Sequence, residues 1–121
     1  IPSDEFYSYH AKYEDERSQL LIPAPLPAQT IAYLQQTAMD AFKSVDGAGM
    51  ARVDFLMDRT TGEIFLSEIN TIPGFTKISM YPKLWAASGL PYAELVDRLI
   101  ELAIQRKADR DRTERQYGRE E

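Results

Sequence analysis

The sequence predicts an α+β fold in which helices pack on one face of an antiparallel sheet. Residues 51–70 alternate apolar with polar side chains on either side of a glycine turn, with interruptions at Leu56, Ile64 and Leu66, and this is the pattern of two paired strands. Residues 27–45 place apolar side chains at steps of three and four, and residues 92–104 do the same. These two segments are therefore predicted to be amphipathic helices.

The first predicted element is a strand near residues 6–13. The next residues, 14–17, are all charged, and residues 20–27 include three prolines and lack any helical period. The segment between the strand and the first helix is therefore either a surface loop that can close over a site or a plain connector.

The first helix is predicted from about Pro27 to Val45, begun by the proline and ended near residues 46–47. Its apolar stripe is expected to cover the sheet. The stripe consists of Ile31, Leu34, Ala38, Ala41, Phe42 and Val45.

The two strands are predicted to turn at residues 60–62. Gly62 would adopt the left-handed conformation that closes a three-residue loop, and Arg59 would then face Glu63. Continuing this register away from the turn fixes which side chains share each face. The apolar face is predicted to carry Ala51, Val53, Phe55, Phe65 and Ile69.

The other face of the hairpin is predicted to carry Arg52, Asp54, Glu68 and Asn70, with Asp54 opposite Glu68 and Arg52 opposite Asn70. Two facing carboxylates repel, and a hard divalent cation bound through oxygen relieves that repulsion. Asn70 adds a neutral carbonyl oxygen, and Arg52 adds a cation for a phosphate or a developing anion. The pattern predicts a magnesium-phosphate site, and a surface ion-pair ladder is the alternative.

A tight turn at residues 71–76 follows the second strand directly. Gly74 in this turn would let backbone N–H groups approach an anion closely. An ordinary Pro-Gly turn is the alternative explanation of this glycine.

A short helix is predicted from Pro82 to Ser88, ended by Gly89, with Trp85 packed against its neighbours. Pro91 then opens the last helix, whose apolar face is expected to be core rather than a partner surface. That face consists of Tyr92, Leu95, Val96, Leu99, Ile100, Ala103 and Ile104.

The last segment, Lys107 to Glu121, has ten charged residues of fifteen and cannot build a core. It is predicted to be a fraying extension of the helix or a disordered tail, and a contact site for another subunit is a weaker alternative. We therefore divide the chain into residues 1–24, the first strand and mobile loop, residues 25–106, the lobe with the metal site, and residues 107–121, the tail.

The composition indicates a soluble domain with one core: 121 residues, a net charge of −5 and 44% hydrophobic residues. The acidic balance gives no sign of nucleic-acid binding. Without cysteine, disulfides and zinc-thiolate sites are excluded. We expect neither a membrane span nor a signal peptide, and a cytoplasmic location. Because the chain begins with Ile1 rather than Met, we expect it to be a piece of a longer protein.

Four stretches of the chain together resemble one known family. They read EFYSYHAKY from Glu5, RVDF from Arg52, EINTIPGFT from Glu68 and ISMYPKLW from Ile78. The combination is similar to the C-terminal part of D-alanine–D-alanine ligases of the ATP-grasp superfamily. The resemblance implies an ATP-grasp C-terminal lobe with an antiparallel sheet and packed helices.

The resemblance also implies an activity: joining two D-alanines through an acyl phosphate for peptidoglycan precursors, with ATP converted to ADP. Asp54, Glu68 and Asn70 match the ligands of two Mg²⁺ ions, or Mn²⁺, that bridge the ATP phosphates, with Glu68 on both ions. N-terminal and central domains would lie upstream of this chain, and the family's pairing of subunits suggests a homodimer. Alternatives are a D-alanine–D-serine or D-alanine–D-lactate ligase, or an inactive isolated binding fragment.

On the ATP side, Phe6 matches a contact of the adenine, and Lys12 matches a residue at the transferred phosphate and at the carboxylate of the second D-alanine. Arg52 and the backbone of Gly74 match the groups that stabilise the oxyanion formed when one D-alanine's amine attacks the acyl phosphate of the other.

On the D-alanine side, Tyr13 matches the loop tyrosine of dipeptide-forming members. Ser79 and the backbone of Met80 match the turn that binds the carboxylate of the second D-alanine. Two residues depart from the family pattern: His10 stands where an acid is frequent, and Lys77 where small polar residues are frequent. We assign no chemistry to His10.

Overall fold

The computed structural model describes residues 20–76 and 78–112 as three helices and a two-stranded sheet. The predicted strand near residues 6–13, and with it Phe6, His10, Lys12 and Tyr13, lies outside the described residues, as does Lys77. The elements in chain order are α1 (Ala28–Ser44), β1 (Arg52–Met57), β2 (Ile64–Asn70), α2 (Met80–Ala87) and α3 (Tyr92–Asp111). The predicted α+β class, with an antiparallel sheet, is confirmed.

The polar end of the hairpin has the predicted register. Arg52 lies opposite Asn70, and Asp54 lies opposite Glu68. These two pairs are next-but-one neighbours along the strands, so their side chains share one face of the sheet.

The turn of the hairpin differs from the prediction by one residue. The N–H of Asp58 donates to the carbonyl of Glu63 at 2.9 Å, so these two residues face each other and Arg59 lies in a four-residue loop. Gly62 has a φ of 74°, the left-handed conformation predicted for it. The carboxylate of Asp58 accepts the N–H groups of residues 60 and 61, each at 2.7 Å. This carboxylate fixes the longer loop by satisfying two backbone donors.

A β-bulge restores the predicted register between the turn and the polar end. Strand β2 has one extra residue, Ser67, between the residues that face Asp54 and Phe55. The longer turn and the bulge shift the register by one residue in opposite directions. The bulge also corrects one prediction: Phe65 lies opposite Leu56, so alternation places it on the face of Asp54 and not on the apolar face.

Helix α1 has the predicted limits, with Pro27 and Val45 as its caps. Most of its apolar stripe is half-buried, but Val45 is exposed. Leu34 lines the same groove as Val53 and Phe55 of β1, so this part of the stripe lies beside the hairpin. The prediction that the stripe covers the sheet is wrong for Val45 in this chain.

Helix α2 begins at Met80, two residues before the predicted start, and Gly89 follows its end with a φ of 92°. Phe75 lies in a tilted contact with Tyr81, with ring centroids 5.8 Å apart, and in an edge contact with Tyr92 at 5.3 Å. Trp85 packs edge-on against Tyr81 at 6.3 Å. This aromatic cluster fixes the turn before α2 to helices α2 and α3.

Helix α3 buries less of its apolar face than predicted. Leu95 is only 2% exposed, and Val96 and Leu99 are half-buried. The prediction of a core role is wrong in this chain for four residues of that face, which are exposed: Tyr92, Ile100, Ala103 and Ile104. The reason is geometric: at about 1.5 Å per residue, α2 spans about 12 Å and α3 about 30 Å, so α2 cannot cover the whole helix. Residues 107–111 of the predicted tail continue α3.

None of the three helices in the described ranges is long and apolar enough to cross a membrane.

Candidate functional site

The guanidinium of Arg52 lies between the carboxylates of Asp54 and Glu68. Its Nε donates to Asp54 Oδ1 at 2.8 Å, its Nη2 donates to Asp54 Oδ2 at 2.9 Å, and the same Nη2 donates to Glu68 Oε1 at 3.1 Å. The Arg52 side chain is 14% exposed, against 34% for Asp54 and 53% for Glu68. A largely buried cation therefore holds two carboxylate side chains that remain partly exposed to solvent.

This arrangement follows from the strand register. Asp54 and Glu68 are cross-strand partners, so their carboxylates would repel without a cation between them. Arg52 precedes Asp54 by two residues, which puts it on the same face and lets it form a bidentate pair with that carboxylate.

Asn70 extends the oxygen-rich face to the end of β2. Its Oδ1 accepts the backbone N–H of Ile72 at 3.1 Å, which starts the turn after the strand. An amide oxygen has a second lone pair, so this hydrogen bond leaves Asn70 able to bind a cation.

The donor set suits a hard divalent cation. Within residues 20–76 and 78–112, no third acidic or histidine side chain joins Asp54 and Glu68. Two carboxylates and the amide of Asn70 provide oxygen ligands only, and they leave positions for water and phosphate oxygens, as Mg²⁺ sites in proteins usually do. The half-exposed carboxylates thus fit the predicted metal. In this structure Arg52 forms ion pairs with the same two carboxylates.

The turn after β2 brings Gly74 against Ser79. A Cβ at Gly74 would lie 2.9 Å from Ser79 Oγ, closer than such atoms approach in proteins. The Oγ of Ser79 also accepts the N–H of Thr76 at 3.0 Å and lies 2.8 Å from Thr76 Oγ1. The N–H of Ser79 donates to the Thr76 carbonyl at 3.0 Å. A side chain at position 74 would therefore displace the Ser79 hydroxyl from its present position or shift the turn.

Ser79 is the N-cap of α2, yet its side chain makes no capping hydrogen bond. The N–H groups of Met80 and Tyr81 belong to the first turn, where an α-helix provides no acceptor. Backbone donors at such an end favour an anion.

The acid face and the turn border one groove of about 590 Å³. Predicted site residues that line it are Arg52, Asp54, Glu68, Gly74, Ser79 and Met80. The structure thus brings Asp54 and Glu68, two of the three predicted metal ligands, to the same groove as the predicted carboxylate-binding turn, whereas Asn70 is not among the residues that line it. Thr76 is the site residue that the sequence did not single out; its only signal was a hydroxyl three residues before Ser79.

The family model described as D-ala D-ala ligase C-terminus matches residues 1–101. The chain belongs to this family. The match includes all of the residues predicted for the site.

Individual ligases of this family are similar over most of the chain. The D-alanine–D-alanine ligase of Thermoanaerobacter pseudethanolicus is 59% identical over 106 residues, which are 87% of this chain and 30% of that protein. The chain therefore spans less than a third of the length of this curated relative.

Solved ligase structures share the fold. That of the D-alanine–D-alanine ligase from Coxiella burnetii matches with a TM-score of 0.71 at 52% identity, over 74% of this chain and 25% of that one. The D-alanine–D-alanine ligase from Bacillus anthracis complexed with ATP matches with a TM-score of 0.65 at 29% identity, over 71% of this chain and 30% of that one. The predicted ligase lobe is confirmed by these likenesses.

Proposed function

We propose that this chain forms the C-terminal part of an ATP-dependent D-alanine–D-alanine ligase that makes a peptidoglycan precursor. The observation that carries the proposal is the single groove bordered by the Asp54–Arg52–Glu68 cluster and the Ser79 turn. The lining of this groove combines charges suited to metal and phosphate with donors suited to a carboxylate.

The proposed reaction has two steps. The carboxylate of the first D-alanine attacks the γ-phosphorus of ATP, which forms an acyl phosphate and releases ADP. The amine of the second D-alanine then attacks the acyl carbon, and the dipeptide forms as inorganic phosphate leaves and the amine loses a proton. In both steps negative charge develops close to groups that are already negatively charged. The residues required to stabilise it are therefore mainly cations and backbone N–H donors.

Asp54, Glu68 and Asn70 would hold the two Mg²⁺ or Mn²⁺ ions. When bound, the metal neutralises charge on the ATP phosphates. The oxygen-only donor set and the exposure of the two carboxylates support this role.

Arg52 and the backbone N–H of Gly74 would stabilise the oxyanion formed as the amine attacks. Arg52 supports this assignment because its partners Asp54 and Glu68 fix its guanidinium at the groove. Lys12 would bind the transferred phosphate and Phe6 the adenine, as the family resemblance implies.

Ser79 and the backbone N–H of Met80 would bind the carboxylate of the second D-alanine, beside Lys12 and Tyr13. The uncapped start of α2 supports this assignment because its backbone donors lack acceptors in the helix.

The proposal includes the rest of the ligase as a partner. The curated relative is more than three times the length matched here, so N-terminal and central domains would provide the remaining ATP contacts and the first D-alanine site. We propose a homodimer for the complete enzyme and the cytoplasm, where ATP is available, as its location.

The test is a hybrid enzyme. This chain replaces the matching part of the Thermoanaerobacter pseudethanolicus ligase, and ADP and dipeptide are measured with D-alanine, D-serine and D-lactate as competing second substrates. The expected product is D-alanyl-D-alanine, and Glu68→Gln is expected to lower turnover at least about 100-fold. Glu63→Gln, in the hairpin turn, is the matched control and keeps wild-type turnover.

Two outcomes contradict the proposal. Turnover that is unchanged in Glu68→Gln removes the metal assignment. A preference of the hybrid for D-serine or D-lactate removes the substrate assignment and leaves the reaction class in place.

A further inference from the structure

We propose that Thr76 is a positioning residue for the second D-alanine: it holds the Ser79 hydroxyl so that its proton is directed to the substrate carboxylate. This inference rests on the proposed function of Ser79 and adds a residue to it. Thr76 itself is not proposed to touch the substrate.

Three hydrogen bonds join the two residues. The N–H and the hydroxyl of Thr76 both contact Ser79 Oγ, at 3.0 and 2.8 Å, and the N–H of Ser79 donates to the Thr76 carbonyl at 3.0 Å. The backbone bond closes the turn, and the two bonds to Oγ fix the rotamer of the serine side chain.

The hydrogen-bond capacity of a hydroxyl explains how this fixes the proton. Serine Oγ has two lone pairs and one proton. The N–H of Thr76 occupies one lone pair, and the Thr76 hydroxyl occupies the second when it acts as donor. Ser79 can then only donate, and an anionic carboxylate is the acceptor that favours this orientation.

The geometry of the helix start supports the same conclusion. An N-cap serine usually turns its oxygen to the N–H groups of its own helix. Here the Ser79 side chain makes no such bond and is held by Thr76 instead. The first-turn N–H groups of α2 and the Ser79 hydroxyl are therefore available together beside the groove, which Ser79 and Met80 line.

Gly74 leaves room for the serine side chain in this position. Because Gly74 has no side chain, Ser79 Oγ can occupy space within 2.9 Å of where a Cβ would lie. The contact that holds the hydroxyl there is the pair of hydrogen bonds to Thr76.

Three variants of the hybrid enzyme test the inference. Thr76→Val keeps the shape and the backbone N–H and removes the hydroxyl. We expect it to raise KM for the second D-alanine about tenfold, the effect of weakening one hydrogen bond to a charged group, and to change KM for ATP and kcat less than about twofold. Thr76→Ser is expected to restore KM, and Thr76→Val is expected to add nothing in a Ser79→Ala background.

A second measurement does not depend on activity. In the hybrid enzyme, with or without turnover, three-bond NMR couplings report the χ1 rotamer of Ser79. We expect one rotamer in the wild type and in Thr76→Ser, and averaging in Thr76→Val.

The inference is overturned if Thr76→Val leaves the Ser79 rotamer unchanged, if Thr76→Ser fails to restore KM, or if the Thr76→Val and Ser79→Ala effects add. A wild-type hybrid that makes no dipeptide contradicts the proposed function. In that case a rotamer effect still supports the contact between the two residues, but the assignment to a D-alanine carboxylate is withdrawn.

Discussion

Asp54 and Glu68 face each other across the hairpin, and one guanidinium, that of Arg52, donates to both carboxylates. The charge of the two acids is thus already compensated in part by one cation of the protein. A metal ion that binds the same oxygens must compete with Arg52 for them.

This competition predicts that Arg52→Gln tightens metal binding while it impairs the ligase. Losing an ion pair worth about 1 kcal/mol corresponds to about fivefold tighter binding of Mn²⁺. Electron paramagnetic resonance titration of Mn²⁺ into the chain measures this affinity. Arg59→Gln, in the hairpin loop, is the control and keeps the wild-type affinity. Weaker binding in Arg52→Gln would mean that Arg52 supports the ligand geometry rather than competing with the metal.

Gly74→Ala is expected to destabilise the chain by about 1–3 kcal/mol, because the new Cβ would overlap Ser79 Oγ. In a Ser79→Ala background the nearest remaining atom is the Cβ of residue 79 at 3.6 Å, an ordinary contact, so most of the cost should disappear. Chemical denaturation of the wild type, the two single variants and the double variant measures this coupling. Equal costs of Gly74→Ala in both backgrounds would show that the backbone, and not the contact, requires glycine.

Leu95→Ala is expected to reduce the free energy of unfolding by about 3 kcal/mol, since this side chain is 2% exposed and its removal leaves a cavity. Leu102→Ala, on the same helix at 44% exposure, should cost less than about 1 kcal/mol. Urea unfolding followed by circular dichroism compares the two. Similar losses in both variants would place the second leucine in a packed contact.

The Asp58 turn predicts an acid-dependent contribution to stability. Hydrogen bonds from the N–H groups of Thr61 and then Thr60 lower the pKa of the Asp58 carboxyl. A lowered folded-state pKa gives stability that is present above the unfolded-state pKa and lost as pH falls through the folded-state value. Asp58→Ala should therefore lower Tm near neutral pH, and the difference from the wild type should shrink below about pH 4. Thermal unfolding between pH 7 and pH 2 is the measurement, and a constant difference would contradict the carboxylate's role.

The acid pair was predicted from sequence because polar side chains recur at two-residue steps on both strands. Two errors nevertheless compensate in this prediction: the turn is one residue longer, and Ser67 forms a bulge. Alternation within one strand cannot reveal either feature, because a bulge is defined by how the two strands pair. The pairing therefore has to be known before the residues beyond the bulge can be assigned to a face. Phe65 was placed on the wrong face for this reason.

The helices were predicted well because their apolar periods extend over several turns. Burial was predicted less well, since it depends on what packs against each face. Leu95 and Ile104 both belong to the predicted apolar face of α3, yet Leu95 is buried and Ile104 is exposed. Thr76 was not singled out because the sequence does not show that its N–H and hydroxyl contact the Ser79 hydroxyl. That contact is seen only in the three-dimensional structure.

The bulge at Ser67 separates the outer part of the hairpin from its polar end. At about 3.3 Å per residue, the loop at residues 59–62 lies roughly 17 Å along the strand from Asp54. A reporter group can therefore be attached at the loop, for example a spin label on a cysteine introduced at Thr60. Because the chain has no native cysteine, that label would be unique, and its distance to a paramagnetic ion at the acid pair could be measured directly.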